Sequence, residues 1–169
     1  MVETPVEEIT ANGYEAPKNV QFSVFLANKV GRLLELLEVF EGHALALAAI
    51  SVVDSADHAV VRVLTSRSDL ARRILDRANL PFGESDVLVV QMDSTHTMSM
   101  ICAGLLGAEI NIQYAYPLLV SPNDRSAIAI HCEDYVLSAQ ILRRRGFNLL
   151  AENDLGENMN PGDPSINNN

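Results

Sequence analysis

Tryptophan is absent from the 169 residues, cysteine occurs twice, and phenylalanine and tyrosine together supply an aromatic share of only 5%. Two thiols, Cys102 and Cys132, cannot staple a framework, so a disulfide-built secreted scaffold is excluded and a reducing cytoplasm is the expected setting. No apolar run approaches the roughly 20 residues that a membrane span needs, which argues against a membrane partner. Residues 1 to 17 are acidic and polar, lacking the basic start and apolar middle of a secretory leader, so none is expected. Basic residues are scarce too: 12 Lys and Arg stand against 22 Asp and Glu, a net charge of −10. The first nineteen residues hold four acids and one lysine, and the last nineteen hold four acids and no base, so most of that charge belongs to the ends. A nucleic-acid surface needs basic side chains and stacking rings on its central strands. The two stretches that would be those strands, Ala59-Val60-Val61-Arg62-Val63-Leu64 and Ser126-Ala127-Ile128-Ala129-Ile130-His131, contain no aromatic residue, which excludes that class.

What the chain does have is a pattern stated twice. Between about residues 20 and 90 a strand runs through a short loop into a Leu-rich helix, two alternating strands, a second helix and a short strand. The same order returns from about Asp86 to Leu155, displaced by roughly 66 residues. Each half is too small to bury a comfortable core alone, so the halves are expected to lean on each other. The fold class that follows is α+β: two ferredoxin-like β-α-β-β-α-β units, at 19–85 and 86–155. They are expected to pair into a roughly eight-stranded antiparallel sheet with helices on one face. Residues 1–18 and 156–169 are too polar and too rich in Pro, Gly and Asn to offset the entropy of ordering, and are expected to be disordered tails.

Local patterns support this reading. The helix opening at Arg32 places Leu33, Leu36, Leu37 and Phe40 at i, i+3, i+4 and i+7, an apolar stripe that must face a sheet, and Gly42 stops it. Asp54-Ser55-Ala56-Asp57 separates two β-rich runs and reads as a hairpin turn. Ser68 or Asp69 is the expected cap of the next helix, whose inward stripe is Leu70, Ala71, Ile74, Leu75 and Ala78. Leu80-Pro81-Phe82 can supply no more than an edge strand. In the second half, Met98, Ile101, Cys102, Leu105 and Leu106 are expected to point inward. Ile110 to Val120 reads as a long strand, and Glu133 or Asp134 starts the last helix, which Gly146 ends.

The loop Asn28-Lys29-Val30-Gly31, directly ahead of Arg32-Leu33-Leu34-Glu35-Leu36-Leu37, resembles the Asn/Asp-x-Pro-Gly turn of ACT domains. So do Ile50-Ser51, the helix Ala71-Arg72-Arg73-Ile74-Leu75, the junction Glu84-Ser85-Asp86-Val87-Leu88 and, above all, Glu109-Ile110-Asn111-Ile112-Gln113-Tyr114-Ala115-Tyr116. Over about residues 20 to 155 the chain looks like a stand-alone two-ACT protein. The resemblance implies a non-catalytic regulatory protein whose partner is a small amino-acid ligand, gripped at a seam between ACT domains and modulating amino-acid metabolism. It also implies a homodimer or a larger enzyme partner, with the small regulatory subunit of acetolactate synthase as a related example. A ligand-free protein-protein assembly module is the other reading. The candidate ligand-binding residues are Asn28, Lys29, Val30, Gly31 and Arg32. The repeat adds Ser94, Thr95, His96 and Thr97 at the matching loop, which has neither Pro nor Gly; Ser94 or Thr95 there is expected to cap the following helix.

The chemistry of that turn stands without the family. A helix start presents unpaired N–H groups and partial positive charge, so a carboxylate gains charge-assisted hydrogen bonds there. Gly31 tolerates φ above zero, the Asn28 oxygen can receive an α-ammonium, and Arg32 lies near enough to reinforce an anion. Tyr114 and Tyr116, two apart, share one strand face and either pack beneath the helices or line the seam. His43, His58, His96 and His131 show no zinc spacing, and His131 and Cys132 point to opposite faces, so no metal is expected. Cys102 falls on an apolar stripe and not in a nucleophile setting. With no paired carboxylates, phosphate-binding glycine loop or Gly-x-Ser-x-Gly elbow, neither catalytic residues nor a cofactor are expected.

Overall fold

The computed structural model describes residues 15–55 and 57–156. The first half forms β1 (Val20–Ala27), α1 (Arg32–Glu38), β2 (Leu47–Asp54), β3 (His58–Thr65), α2 (Ser68–Arg77) and β4 (Phe82–Asp86). The second forms β5 (Leu88–Gln91), α3 (Met98–Leu106), β6 (Ile112–Pro117), β7 (Ala127–Cys132), α4 (Tyr135–Arg144) and β8 (Leu149–Leu150). Strand orders are β2-β3-β1-β4 and β6-β7-β5-β8, antiparallel throughout, so the two halves share one ferredoxin-like topology.

Alternation along the strands sorts the side chains into three cores. Val20, Phe22, Val24, Leu26, Val61 and Val63 point outward, under Leu36 of α1 and Ala71, Ile74 and Leu75 of α2. Leu88, Val90, Ile130 and Cys132 do the same beneath Ile101 and Leu105 of α3 and Ala139 and Leu142 of α4. The third core draws on both halves: Ala48, Ala49 and Leu64 from the first sheet meet Val87, Val89, Tyr116, Ala127, Ala129 and Leu150 from the second. The sheets therefore stack face to face, giving layers helix, sheet, sheet, helix.

This corrects the expectation of one sheet of about eight strands. The edge strands β2 and β6 approach at a single corner, where the Leu119 amide donates to the Ala48 carbonyl at 2.8 Å. Edge pairing would leave both inner faces, with their alanines, valines and leucines, in water. Stacking buries them, and the small alanines let the sheets approach closely. The chain passes between the sheets with only Val87 separating β4 from β5.

The C-terminal turn fastens the halves. The Asn19 side-chain amide donates to the Leu150 carbonyl at 2.7 Å. The Glu152 carboxylate accepts from the Val20 amide at 3.3 Å and the Ser68 amide at 3.1 Å. Neither Ser68 nor Asp69 caps α2 as expected; its N-cap is Arg67, with no side-chain cap bond of its own, and Glu152 from the other half takes that place.

Other details depart from the pattern. Helix α1 stops at Glu38, leaving Leu33 39% exposed. Cys102 is exposed and Leu106 is 75% exposed, because Gly104 and Leu105 take the inward arc of α3. Strand β6 ends at Pro117, whose missing N–H cannot continue a ladder. The proposed tails fall mainly on residues 1–14 and 157–169, outside the described residues. Ala16 packs against the second helical core, and the Pro17 carbonyl accepts from the Tyr135 hydroxyl.

Candidate functional site

The turn between β1 and α1 sits at the far end of the first sheet from the crossing at Val87. Gly31 is the N-cap of α1 with φ 90° and ψ −17°, a left-handed conformation that a β-branched residue resists, and no side chain caps the helix. The Arg32 amide is closed by the Lys29 carbonyl at 3.3 Å, and the Glu35 amide by the Gly31 carbonyl at 3.0 Å. Between them, the Leu33 and Leu34 amides meet no protein acceptor among the described residues. Lys29, Val30 and Gly31 are exposed, and a side chain at Gly31 would point into open space.

The side chains around this turn are partly committed. The Arg32 guanidinium pairs through Nη1 with Glu35 one turn along, while its buried Nε meets no partner among the described residues. The Asn28 amide nitrogen donates to the Asp54 carboxylate at 2.8 Å, which leaves its oxygen unengaged. Asp54, at the end of β2, thus joins the turn although sequence reasoning passed over it as part of a hairpin cluster. Its one signal was that β2 ends where β1 ends, and a register of strands not adjacent in sequence is hard to read from periodicity. The arrangement offers two backbone donors on one side and an amide oxygen beside a carboxylate on the other.

The matching turn in the second half is built differently. Asp93 accepts from the Thr95 amide and hydroxyl at 2.8 Å each and from the His96 amide at 2.7 Å, and lies 3.0 Å from His96 Nδ1. These hydrogen bonds to Thr95, and then those to His96, hold its carboxyl well below the ordinary carboxylate range. The N-cap of α3 is Thr97 in an extended conformation, so neither Ser94 nor Thr95 caps the helix. The His96 ring meets Phe147 edge-on with centroids 5.1 Å apart.

Tyr114 and Tyr116 lie between the sheets and not beneath the helices. The Tyr116 hydroxyl donates to Gln21 Oε1 at 2.6 Å, and the Gln21 side-chain amide donates to the Tyr114 hydroxyl at 2.9 Å. Burial pushes the Tyr116 hydroxyl pKa upward, so it stays a donor. The Arg62 guanidinium lies 3.9 Å from the centre of the Tyr114 ring, which also stacks with His131 at 4.9 Å and with Tyr116 at 6.4 Å. Around Gln21 the seam inside one chain is therefore filled by its own side chains. Among the described residues there is no group of three or more His, Cys, Asp or Glu that could hold a metal, and no helix long and apolar enough to cross a membrane.

Two repeats of this topology, stacked through one shared core, define a duplicated ferredoxin-like module, and the comparisons give it a family. The model of the ACT domain pair family matches residues 18–159, so the chain belongs to that family, and ACT domains are regulatory modules. Protein BT0572 from Bacteroides thetaiotaomicron is similar at 25% identity with a TM-score of 0.74, covering 84% of this chain and 98% of that one. The ligand-free regulatory subunit of aspartate kinase from Thermus thermophilus shares the fold at 10% identity with a TM-score of 0.50, over 77% of this chain and 93% of that one. No curated protein matches the sequence.

Proposed function

We propose that the chain is a non-catalytic cytoplasmic sensor that binds a small amino acid at the turn Asn28–Arg32 and thereby modulates an enzyme of amino-acid metabolism. The observation that carries this reading is the pair of unengaged amides, Leu33 and Leu34, behind a left-handed Gly31 with no capping side chain. The ligand carboxylate accepts from those amides, and its α-ammonium rests against the Asn28 oxygen and Asp54. Lys29 and Val30 flank the entrance. The ligand side chain needs a further wall, which a second copy supplies. Strand β2 is the edge suited to it: from Leu47 to Val53 it carries no charge, and on its helix side Val52 is 51% exposed. The other edges are guarded, by Pro81 and Glu84 at β4, by Pro117 at β6, and by the two-residue length of β8.

A thermal-shift screen with the twenty amino acids tests this. A ligand at a hundred times its Kd adds about 2.7 kcal/mol, which for a chain of this size raises Tm by about 5–10 °C. The Gly31→Val variant should lose the shift. A flat screen on well-folded protein would favour the assembly reading, in which Arg32–Glu35 and the Lys29 carbonyl close the turn and β2 joins other chains without a ligand. Whether the enzyme partner is a synthase of the acetolactate type is settled by co-purification, not by this turn.

A further inference from the structure

The sheets do not cover each other completely, and what lies uncovered is chemically specific. Cross-strand partners share a face, so the register divides the inner face of the first sheet into rows. The row Ala49–Leu64–Gln21–Ser85 lies toward the shared core, where Ala49, Leu64 and Gln21 are buried under the second sheet. The next row, Ser51–Arg62–Ser23, is half-buried. The row after that, Val53–Val60–Phe25, projects past the second sheet, with Phe25 46% and Val53 42% exposed. The result is a corner. Its floor is Val53, Val60 and Phe25, its wall is Tyr114 stacked on His131, and Arg62 stands where the two meet.

Arg62 is unusual in this company. The chain holds 22 acids, yet no strand position on either inner face is an acid. Among the described residues, Arg62 makes no ion pair and donates no hydrogen bond; its guanidinium rests on the Tyr114 ring. Arg32 pairs with Glu35 and Arg72 with Asp69 and Glu84 on the helix-covered side, whereas Arg62 is the arginine of the first unit that stands on the inner sheet face. A half-buried guanidinium with five unused donors, between two serine side chains and beside an apolar strip, fits an anion with an apolar body. Ser23 accepts from the Gln21 side-chain amide at 3.2 Å, which leaves its own hydrogen to donate outward. His131 lies 3.1 Å from the Asp86 carbonyl through Nδ1, which fixes the hydrogen on that nitrogen and its ring against Tyr114.

We infer that this corner between the sheets is a second ligand site, for a monocarboxylate with an aliphatic or aromatic body and no ammonium group. The carboxylate accepts from Arg62 and the hydroxyls of Ser23 and Ser51, and the body lies along Val60, Phe25 and Val53. The site is separate from the Asn28 turn: α1 and its amides belong to the outer, helix-covered side of the sheet, whereas Arg62 faces the partner sheet. Among the described residues no inner-face strand position offers a carboxylate to an α-ammonium, so the corner favours acids without one over the amino acids proposed for the turn.

The test uses octanoate and phenylacetate as probes, with their methyl esters as uncharged controls, titrated into the full chain by calorimetry and followed by amide chemical shifts. The acids should bind and the esters should bind at least tenfold more weakly, with shifts at Phe25, Val60 and Ser51 and none at Gly31. Arg62→Met should weaken the acids at least tenfold, while Gly31→Val leaves them unchanged; the reverse pattern would place the acids at the turn and overturn this site while leaving the turn reading intact. Because Arg62→Met also loses its contact with Tyr114, the wild-type shift map and the Phe25→Ser variant serve as independent readouts. Equal binding of acid and ester, shifts outside the corner, or a mass twofold lower for Phe25→Ser, meaning that a second copy covers the strip, would overturn the site.

Discussion

The two helix-starting turns, one in each unit, occupy the same place in the same fold, and neither helix has a side-chain cap, but the loops that lead into them are built differently. The first begins its helix on a left-handed glycine and leaves Leu33 and Leu34 without acceptors. The loop of the second is drawn around the Asp93 carboxylate, which gathers Thr95 and His96, and the His96 ring packs against Phe147. Both helix starts leave two amides without an acceptor among the described residues, Leu33 and Leu34 in the first and Met98 and Ser99 in the second, so what differs is the loop ahead of them: open at Gly31, folded around Asp93 at the other. A loop held by its own carboxylate resists opening toward a ligand, while an exposed glycine turn lets one approach the helix amides.

The comparison can be broken at several points, beginning with the largest effect. Gly31→Val should remove the whole amino-acid-dependent rise in Tm, about 2.7 kcal/mol at a hundredfold excess over Kd; a retained shift would move the site elsewhere. Glu152→Ala tests the other way of capping a helix in this chain, since its carboxylate bonds the Val20 and Ser68 amides across the units. A loss of about 0.5–2 kcal/mol is expected in urea unfolding, the range for removing a helix cap, with both units melting less cooperatively.

The pH response separates the turns further. The folded Asp93 carboxyl titrates well below its ordinary 3.8, so the stability it contributes is fully present above that value and is lost as pH falls toward the folded one. Acid unfolding should therefore begin below about pH 4, and Asp93→Asn should flatten part of that slope; an unchanged acid limb would show that the turn contributes nothing. The smallest effect belongs to Thr97→Gly. Restoring glycine at the second turn should leave ligand stoichiometry unchanged while Asp93 still holds the loop, as read by calorimetry.

Much of this was legible in the residues. The order of elements, the paired units and the glycine turn follow from apolar period, hairpin signals and Gly31, because each is a local property. Asp134 also caps α4 as its position suggests, accepting from the Leu137 amide at 2.9 Å. What stayed hidden depends on contacts across the chain. Alternation told that Tyr114 and Tyr116 share a face, but not that the face meets a second sheet and not a helix. Stacking follows only when the alanines at 48, 49, 127 and 129 are seen together. The Glu152 cap links residues 84 apart in sequence, and Asp93 looked like one more polar loop residue. Cys102 was assigned to the core because α3 carries no charge to mark its outer side, and it is exposed.

The most direct measurement is an amide chemical-shift titration of the full chain with whichever amino acid raises its Tm most. Saturable shifts at Gly31, Leu33 and Leu34, one ligand per chain, and quiet amides at Thr95, His96 and Thr97 are the predicted result. Shifts of equal size at both turns, or none at Leu33 and Leu34 with any of the twenty amino acids, would contradict it.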